Sequence, residues 1–216
     1  MTFCGAALAQ LDHITRAEAV SALKAALEKG SQAAVASLGR TDGFLGNPQV
    51  RIALPDSLQR TERLMRRFGM GHYADELVTT MNHAAEAAVP EAKQLLLASI
   101  RKMSVQDAKG ILTGGETAAT AYFRRTTEAD LRRRFLPIVS NATARVELAH
   151  KYNQYADKGV ALGVIDEKDA NLDGYVTQKA LDGLFFMVAE EEKKIRQDPV
   201  SAGAAIVRKV FGSLLN

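Results

Sequence analysis

The chain has 216 residues, 47% of them hydrophobic and 25% charged, which is enough apolar material for one self-sufficient core without a metal or disulfides. A formal net charge of +3 is too small to mark a nucleic-acid partner, and the lack of Trp with only 6% aromatics argues against a large aromatic ligand cage. From the N-terminus, residues 2–8 are short and apolar, and Ala7-Leu8-Ala9 before Gln10 has the small-x-small form that signal peptidase cuts. The basic n-region is missing, so residues 1–9 read as the remnant of a signal peptide whose start lies upstream. Residues 10–216 then form a single exported domain. Cys4, the one cysteine, leaves with that cut, so neither a disulfide nor thiolate chemistry is expected afterwards. No run reaches the roughly 20 apolar residues that a membrane-spanning helix needs.

Thr15-Arg16-Ala17-Glu18 is a capping box, and Val20, Leu23, Leu27, Val35 and Leu38 follow at helical spacing, so a first helix is expected from Thr15 to Leu38. Gly39 to Pro55 breaks the pattern with Asp42-Gly43, Gly46 and Asn47-Pro48, while Val50, Ile52 and Leu54 alternate. This reads as a long ordered loop with one short strand-like piece. Asp56-Ser57-Leu58-Gln59 opens a second helix ending at Gly69, with Leu58, Leu64, Met65 and Phe68 inward. Tyr73, Leu77, Met81, Ala84, Ala85 and Ala88 carry a third, and Pro90 sits in the first turn of a fourth with Leu95, Leu96, Ile100 and Met103.

Ser104-Val105-Gln106-Asp107 starts a short helix to Leu112, for which Gly114-Gly115 supplies a left-handed stop. One helix is expected near Glu116 and another from Thr127, the latter running to about Ala156 and kinked at Pro137. After an irregular stretch from Gly159 to Gly174, Thr177 to Arg196 is helical, and Pro199 opens a last helix carrying Val207, Val210, Phe211 and Leu214. The expected fold is therefore all-α: a single-domain bundle of roughly eight helices with one long ordered loop.

The sharpest chemical motif is Asp169-x-Asn171-x-Asp173-Gly174, the opening of an EF-hand calcium loop. Calcium needs a bidentate carboxylate at the twelfth place, where this chain has Ala180, so a loop that caps the following helix is preferred and Asp169, Asn171 and Asp173 stay a weak metal candidate. Of His13, His72, His83 and His150, His83 is the one singled out, with a carboxylate at helical spacing, Glu86, which is half of what a zinc site requires. Neither a Gly-x-Ser-x-Gly elbow nor a phosphate-cradling loop is present. Arg124, Arg125, Arg132, Arg133 and Arg134 could grip an anion, although a solvated face paired with Glu128 and Asp130 is the plainer reading. Glu190-Glu191-Glu192-Lys193-Lys194 reads likewise as an exposed face.

From Glu18 to Gly212 the chain resembles the bacterial family called domain of unknown function 4197. The blocks that carry this are Leu38-Gly39 with Thr41 to Pro48, Leu54-Pro55, Met81-Asn82 with Ala84-Ala85-Glu86 and Pro90. They continue with Ile111 to Gly115, Tyr122-Phe123-Arg124-Arg125-Thr126, Phe135 to Val139, Tyr175-Val176-Thr177 with Lys179 to Phe185, and Val210-Phe211-Gly212. The resemblance implies an exported envelope protein of Gram-negative bacteria and brings no reaction, ligand or cofactor. Members resemble Asn-Arg-Ala-Ala-Glu where this chain has His83, which makes His83 a poor metal ligand. Polar positions shared with the family pattern, Asp42, Asn47, Asn82, Glu86, Tyr122 and Arg125, together with Arg124, are the candidate ligand-binding residues. They serve equally well as turn-formers and buried hydrogen-bonding anchors.

Taken together, these features lead us to expect a periplasmic binding or interaction protein rather than an enzyme. An apolar or anionic envelope component would sit in a cleft between helices, with Tyr122 and Arg125 at its polar end. A self-associating scaffold is the alternative and a hydrolase the third class. The expected partner is a small molecule or envelope protein, with no nucleic acid, no cofactor and no transmembrane span.

Overall fold

The apolar periodicity folds as helix throughout: a computed structural model, describing residues 16–149 and 171–198, contains no strand among those residues. Its elements are α1 (Arg16–Leu38), α2 (Asp56–Arg67), α3 (Gly71–Ala88), a 3-10 turn (Val89–Glu91), α4 (Ala92–Lys102), α5 (Val105–Thr113), α6 (Ala118–Thr143) and α7 (Leu172–Gln197). The bundle is all-α as expected, with seven helices among the described residues. Thr15, Asp169, His13, His150 and the expected C-terminal helix lie outside them.

The two longest helices, α6 and α7, form the spine and run antiparallel, because each end of one is bonded to the opposite end of the other. At one end the Asp173 carboxylate accepts from the hydroxyls of Ser140 (2.7 Å) and Thr143 (2.5 Å). At the other, Glu192 accepts from Ala119 and Thr120. Leu131, Phe135 and Val139 of α6 and Leu181, Leu184 and Phe185 of α7 belong to one core with Leu23 and Leu27 of α1 and Leu77 and Met81 of α3. Ala84, Ala85 and Ala88 of α3 are fully buried, small enough for close helix packing.

Several expectations change in detail. Residues 118–143 form one helix with no second start at Thr127, whose buried hydroxyl instead donates to the Phe123 carbonyl one turn back (2.7 Å). Gly114 is extended rather than left-handed (φ −84°, ψ 176°); the left-handed stop is at Gly69 after α2. Leu64 and Phe68, expected inward, are exposed, because α2 packs mainly on α3 and its apolar arc is wider than that contact. Glu192, expected on a solvated face, is buried where α7 passes the start of α6.

The long loop after α1 is ordered by its own apolar side chains. Phe44 is fully buried, and Val50, Ile52 and Leu54 are buried while Arg51 and Ala53 between them face out. The alternation is that of a strand, yet among the described residues no second strand pairs with it. Phe44 reaches α7 at Gly183, where a Cβ would stand 2.6 Å from its ring. Gly183→Ala is therefore expected to cost about 1–3 kcal/mol through overpacking. That is a fall in Tm of the order of 5 °C for a chain of this length. An unchanged melting curve by circular dichroism would show that Phe44 does not need this gap.

Candidate functional site

A loop with one face in the core leaves main-chain donors that water cannot reach, and each needs a partner. Within residues 40–54 several close turns on the loop itself, and four find theirs on α3, where Asn82 and Glu86 stand one turn apart on the same face. The Glu86 carboxylate, almost fully buried, accepts the N–H groups of Phe44 (3.0 Å), Leu45 (3.1 Å) and Asp42 (3.2 Å). Asn82 treats Ile52 as a neighbouring strand would: its Oδ1 accepts the Ile52 N–H (2.8 Å) and its Nδ2 donates to the Ile52 carbonyl (2.9 Å). Asn47 turns the loop, its Oδ1 accepting the N–H of Gln49 (3.1 Å). Asp42 holds a left-handed φ of 59°, unusual for a residue other than glycine. Four of the seven candidates, Asp42, Asn47, Asn82 and Glu86, thus lie in or against one loop.

The other three lie on α6. Tyr122 is buried, and its hydroxyl donates to the Ser99 carbonyl of α4 (2.9 Å). The exposed Arg125 guanidinium lies 5.5 Å from the Tyr122 ring and 3.3 Å from Asp107. Arg124 covers the Phe185 ring at 4.5 Å and reaches Glu128 (3.2 Å) and Asp182 (3.7 Å). Arg132 bonds Gln178, Arg133 bonds Asp130, and Arg134 pairs with Glu91 (3.2 Å). The basic cluster is therefore a bonded surface, its partners lying on the 3-10 turn, on α5, on α7 and on α6 itself.

Sequence reasoning passed over the most extensively bonded polar pair. Glu192 accepts the second and third N–H groups of α6, from Ala119 (3.0 Å) and Thr120 (2.9 Å), and also the Thr120 hydroxyl (2.9 Å). It caps that helix from another chain segment, where Thr117 offers no side-chain bond. Arg196, one turn on, pairs with Glu192 at 2.7 Å and donates to the Ile111 carbonyl (3.1 Å) near the end of α5. The signal present in sequence was the Glu-x-x-x-Arg spacing alone. At the start of α7, Asn171 is the N-cap, its Oδ1 accepting from Asp173 (2.9 Å) and Gly174 (3.1 Å), so two members of the calcium-like motif serve as a cap and a helix anchor.

Among the described residues, Asp42, His83 and Glu86 are the group able to hold a metal ion, with ligand atoms all within 4.8 Å. His83 Nε2 lies 3.3 Å from Asp42 and 3.9 Å from Glu86. A cation there would share Glu86 with three amide donors. No residue of this group lines either groove described next, and His72 is exposed, with its ring against Tyr73. Imidazole and carboxylates meet, but apart from both of these grooves.

Among the described residues, two open grooves stand out as large enough for a small molecule. One, of about 330 Å³, runs between α1 and α7, with Ala26, Gly30, Ala33 and Ile195 as its apolar lining; its Lys29 and Lys194 are balanced by Glu191 and Asp198. The other, of about 370 Å³, lies between residues 49–53 and α7, floored by Val50, Ile52 and Phe186. Tyr175 closes one side by donating to the Ala53 carbonyl (3.0 Å). Arg51 and Lys179 line this groove and form no ion pair with any described residue, while its one acid, Asp182, is shared with Arg124. Of the seven candidates, Arg124 is tied to the groove through that contact, and Asn82 supports it from behind through Ile52.

A family model described as "Protein of unknown function (DUF4197)" matches residues 13–212. No curated protein and no solved structure matches the chain.

Replacing Glu86 tests the loop's dependence on it. Glu86→Gln removes the charge that strengthens three hydrogen bonds and is expected to cost about 2–4 kcal/mol in urea unfolding. Amide exchange at Asp42, Phe44 and Leu45 should quicken first. A second test uses pH. The Ser104 hydroxyl, then the Ser104 N–H and the Arg125 guanidinium, hold the Asp107 carboxyl below the ordinary carboxylate range. Its folded value lies below its unfolded one, so its contribution is present above the unfolded pKa and is lost as pH falls through the folded one. The stability difference between Asp107→Asn and the natural chain should therefore shrink on acidification below about pH 4.

Proposed function

We propose, from the premise that the chain belongs to the DUF4197 family, that it acts by binding and not by catalysis. It takes an amphipathic, anionic component of the cell envelope into the groove between residues 49–53 and α7, and it does so in the periplasm. The observation that carries this reading is the meeting of two cations that form no ion pair with any described residue, Arg51 and Lys179, the latter 5.6 Å from the Tyr175 ring, with an apolar floor of Val50, Ile52 and Phe186. Such a site suits a ligand with an acidic head and an apolar body, and a few placed polar groups over apolar walls are the usual make-up of ligand pockets. The polar end therefore moves from Tyr122 and Arg125, whose polar groups engage Ser99 and Asp107, to Arg51 and Lys179. The α1–α7 groove is the poorer fit for an anion because its charges balance within itself.

The signal-like N-terminus supports export, and among the described residues no helix is long and apolar enough to cross a membrane. Native mass spectrometry of protein purified from a bacterial envelope is expected to show a retained adduct of lipid or lipid-fragment mass. Arg51→Glu with Lys179→Glu should lose it while far-ultraviolet circular dichroism stays unchanged. Natural protein that elutes free of adducts, or an adduct retained by the double variant, would overturn the assignment.

A further inference from the structure

The turn joining α2 to α3 exposes apolar side chains that the fold does not use. Leu58 packs against the core and Met65 is half-buried, but Leu64 is 56% exposed and Phe68 72%. Four residues apart, Leu64 and Phe68 share one strip of the helix surface. At Gly69 the chain takes φ 73°; the Gly69 N–H bonds the Arg66 carbonyl (3.2 Å) and the Met70 N–H reaches back to the Met65 carbonyl (2.8 Å). These paired bonds are a Schellman closure, which folds the residue after the glycine back against the last turn of its helix. Met70 is brought beside the strip in this way, and Tyr73 follows on the first turn of α3; both are 42% exposed.

The strip adjoining Leu64 and Phe68 carries Arg63 and Arg67. Arg66, on the opposite face of the helix, is engaged by Asp75 (2.5 Å) and Glu62 (2.9 Å). Arg63 and Arg67 are exposed and form no ion pair with any described residue. An apolar tip bordered by guanidiniums that pair with no acid among the described residues, at the end of a strongly amphipathic helix, has the two parts of an interfacial membrane contact.

The geometry points to an anionic bilayer surface as the occupant of this tip, with Phe68, Leu64 and Met70 entering the headgroup region and Arg63 and Arg67 on lipid phosphates. A second copy of the chain fits poorly. A stable protein interface takes about 20–30 residues a side, whereas this tip offers four large apolar side chains. Antiparallel two-fold pairing of the helix would also set each arginine strip against its twin. The tip shares no residue with the groove proposed as the ligand site, so either reading can fail alone.

Because the chain has no Trp, Phe68→Trp introduces a unique reporter. With vesicles of phosphatidylcholine containing about one third phosphatidylglycerol, its emission is expected to shift to the blue, and with pure phosphatidylcholine to stay put. In co-sedimentation of the full chain, Arg63→Glu with Arg67→Glu should weaken binding to the anionic vesicles by at least about tenfold. Phe68→Ser should weaken it by about fivefold or more. Circular dichroism of each variant checks that the helices remain. No blue shift, or binding indifferent to these substitutions in folded protein, overturns the proposal. So does light scattering that shows a dimer which Phe68→Ser dissolves while vesicles are ignored.

Discussion

The structure depends on carboxylates sent into the interior to meet main-chain N–H groups that have no local partner. Glu86 receives three such donors from the loop after α1, and Glu192 receives two from the first turn of α6 with a hydroxyl besides. Burying a charge is costly unless hydrogen bonds surround it, and both glutamates meet that condition. In each case the acid belongs to a helix and the donors to a segment more than 40 residues away, so the bonds join elements that sequence proximity would not. They convert an irregular loop and an uncapped helix end into fixed parts of the bundle.

Residues around these anchors follow from them. With its N–H groups bound to Glu86, the loop places Phe44 in the gap that Gly183 leaves on α7, and holds Val50 and Ile52 as the floor of the groove. With the start of α6 bound to Glu192, Arg196 is positioned to reach the Ile111 carbonyl, and the end of α5 is tied to the same point. The groove is thus assembled from pieces far apart in the chain, set by the bonds of Glu86 and Asn82 to the loop and of Tyr175 to Ala53.

The helices were legible because apolar residues recur at their spacing, and the capping box of Ser104 and Asp107 was legible because both halves lie within one turn. Asn82 and Glu86 stood out as polar positions shared with the family pattern, but their partners could not be read, since pairing with Ile52 and Phe44 depends on how the loop folds back. Glu192 was hidden by its neighbours: within Glu190 to Lys194 nothing distinguishes the one acid that turns inward. Leu64 and Phe68 misled in the opposite sense. Periodicity identifies an apolar arc, but how much of it is covered depends on how many helices lie alongside, and α2 has mainly α3. Arg51 and Lys179 gave no signal, because a groove between two distant segments has no linear pattern.

Asn82 has a consequence beyond holding its loop. The stretch from Val50 to Leu54 has strand-like alternation and lies at the surface, where an open edge would be a template for another chain to add to. One side of that edge is already occupied, at Ile52, by an amide that mimics a neighbouring backbone, and the Ala53 carbonyl is taken by the Tyr175 hydroxyl. Two side chains thereby quench the segment's capacity for intermolecular sheet growth, giving a helical protein protection against aggregation at its most sheet-like point.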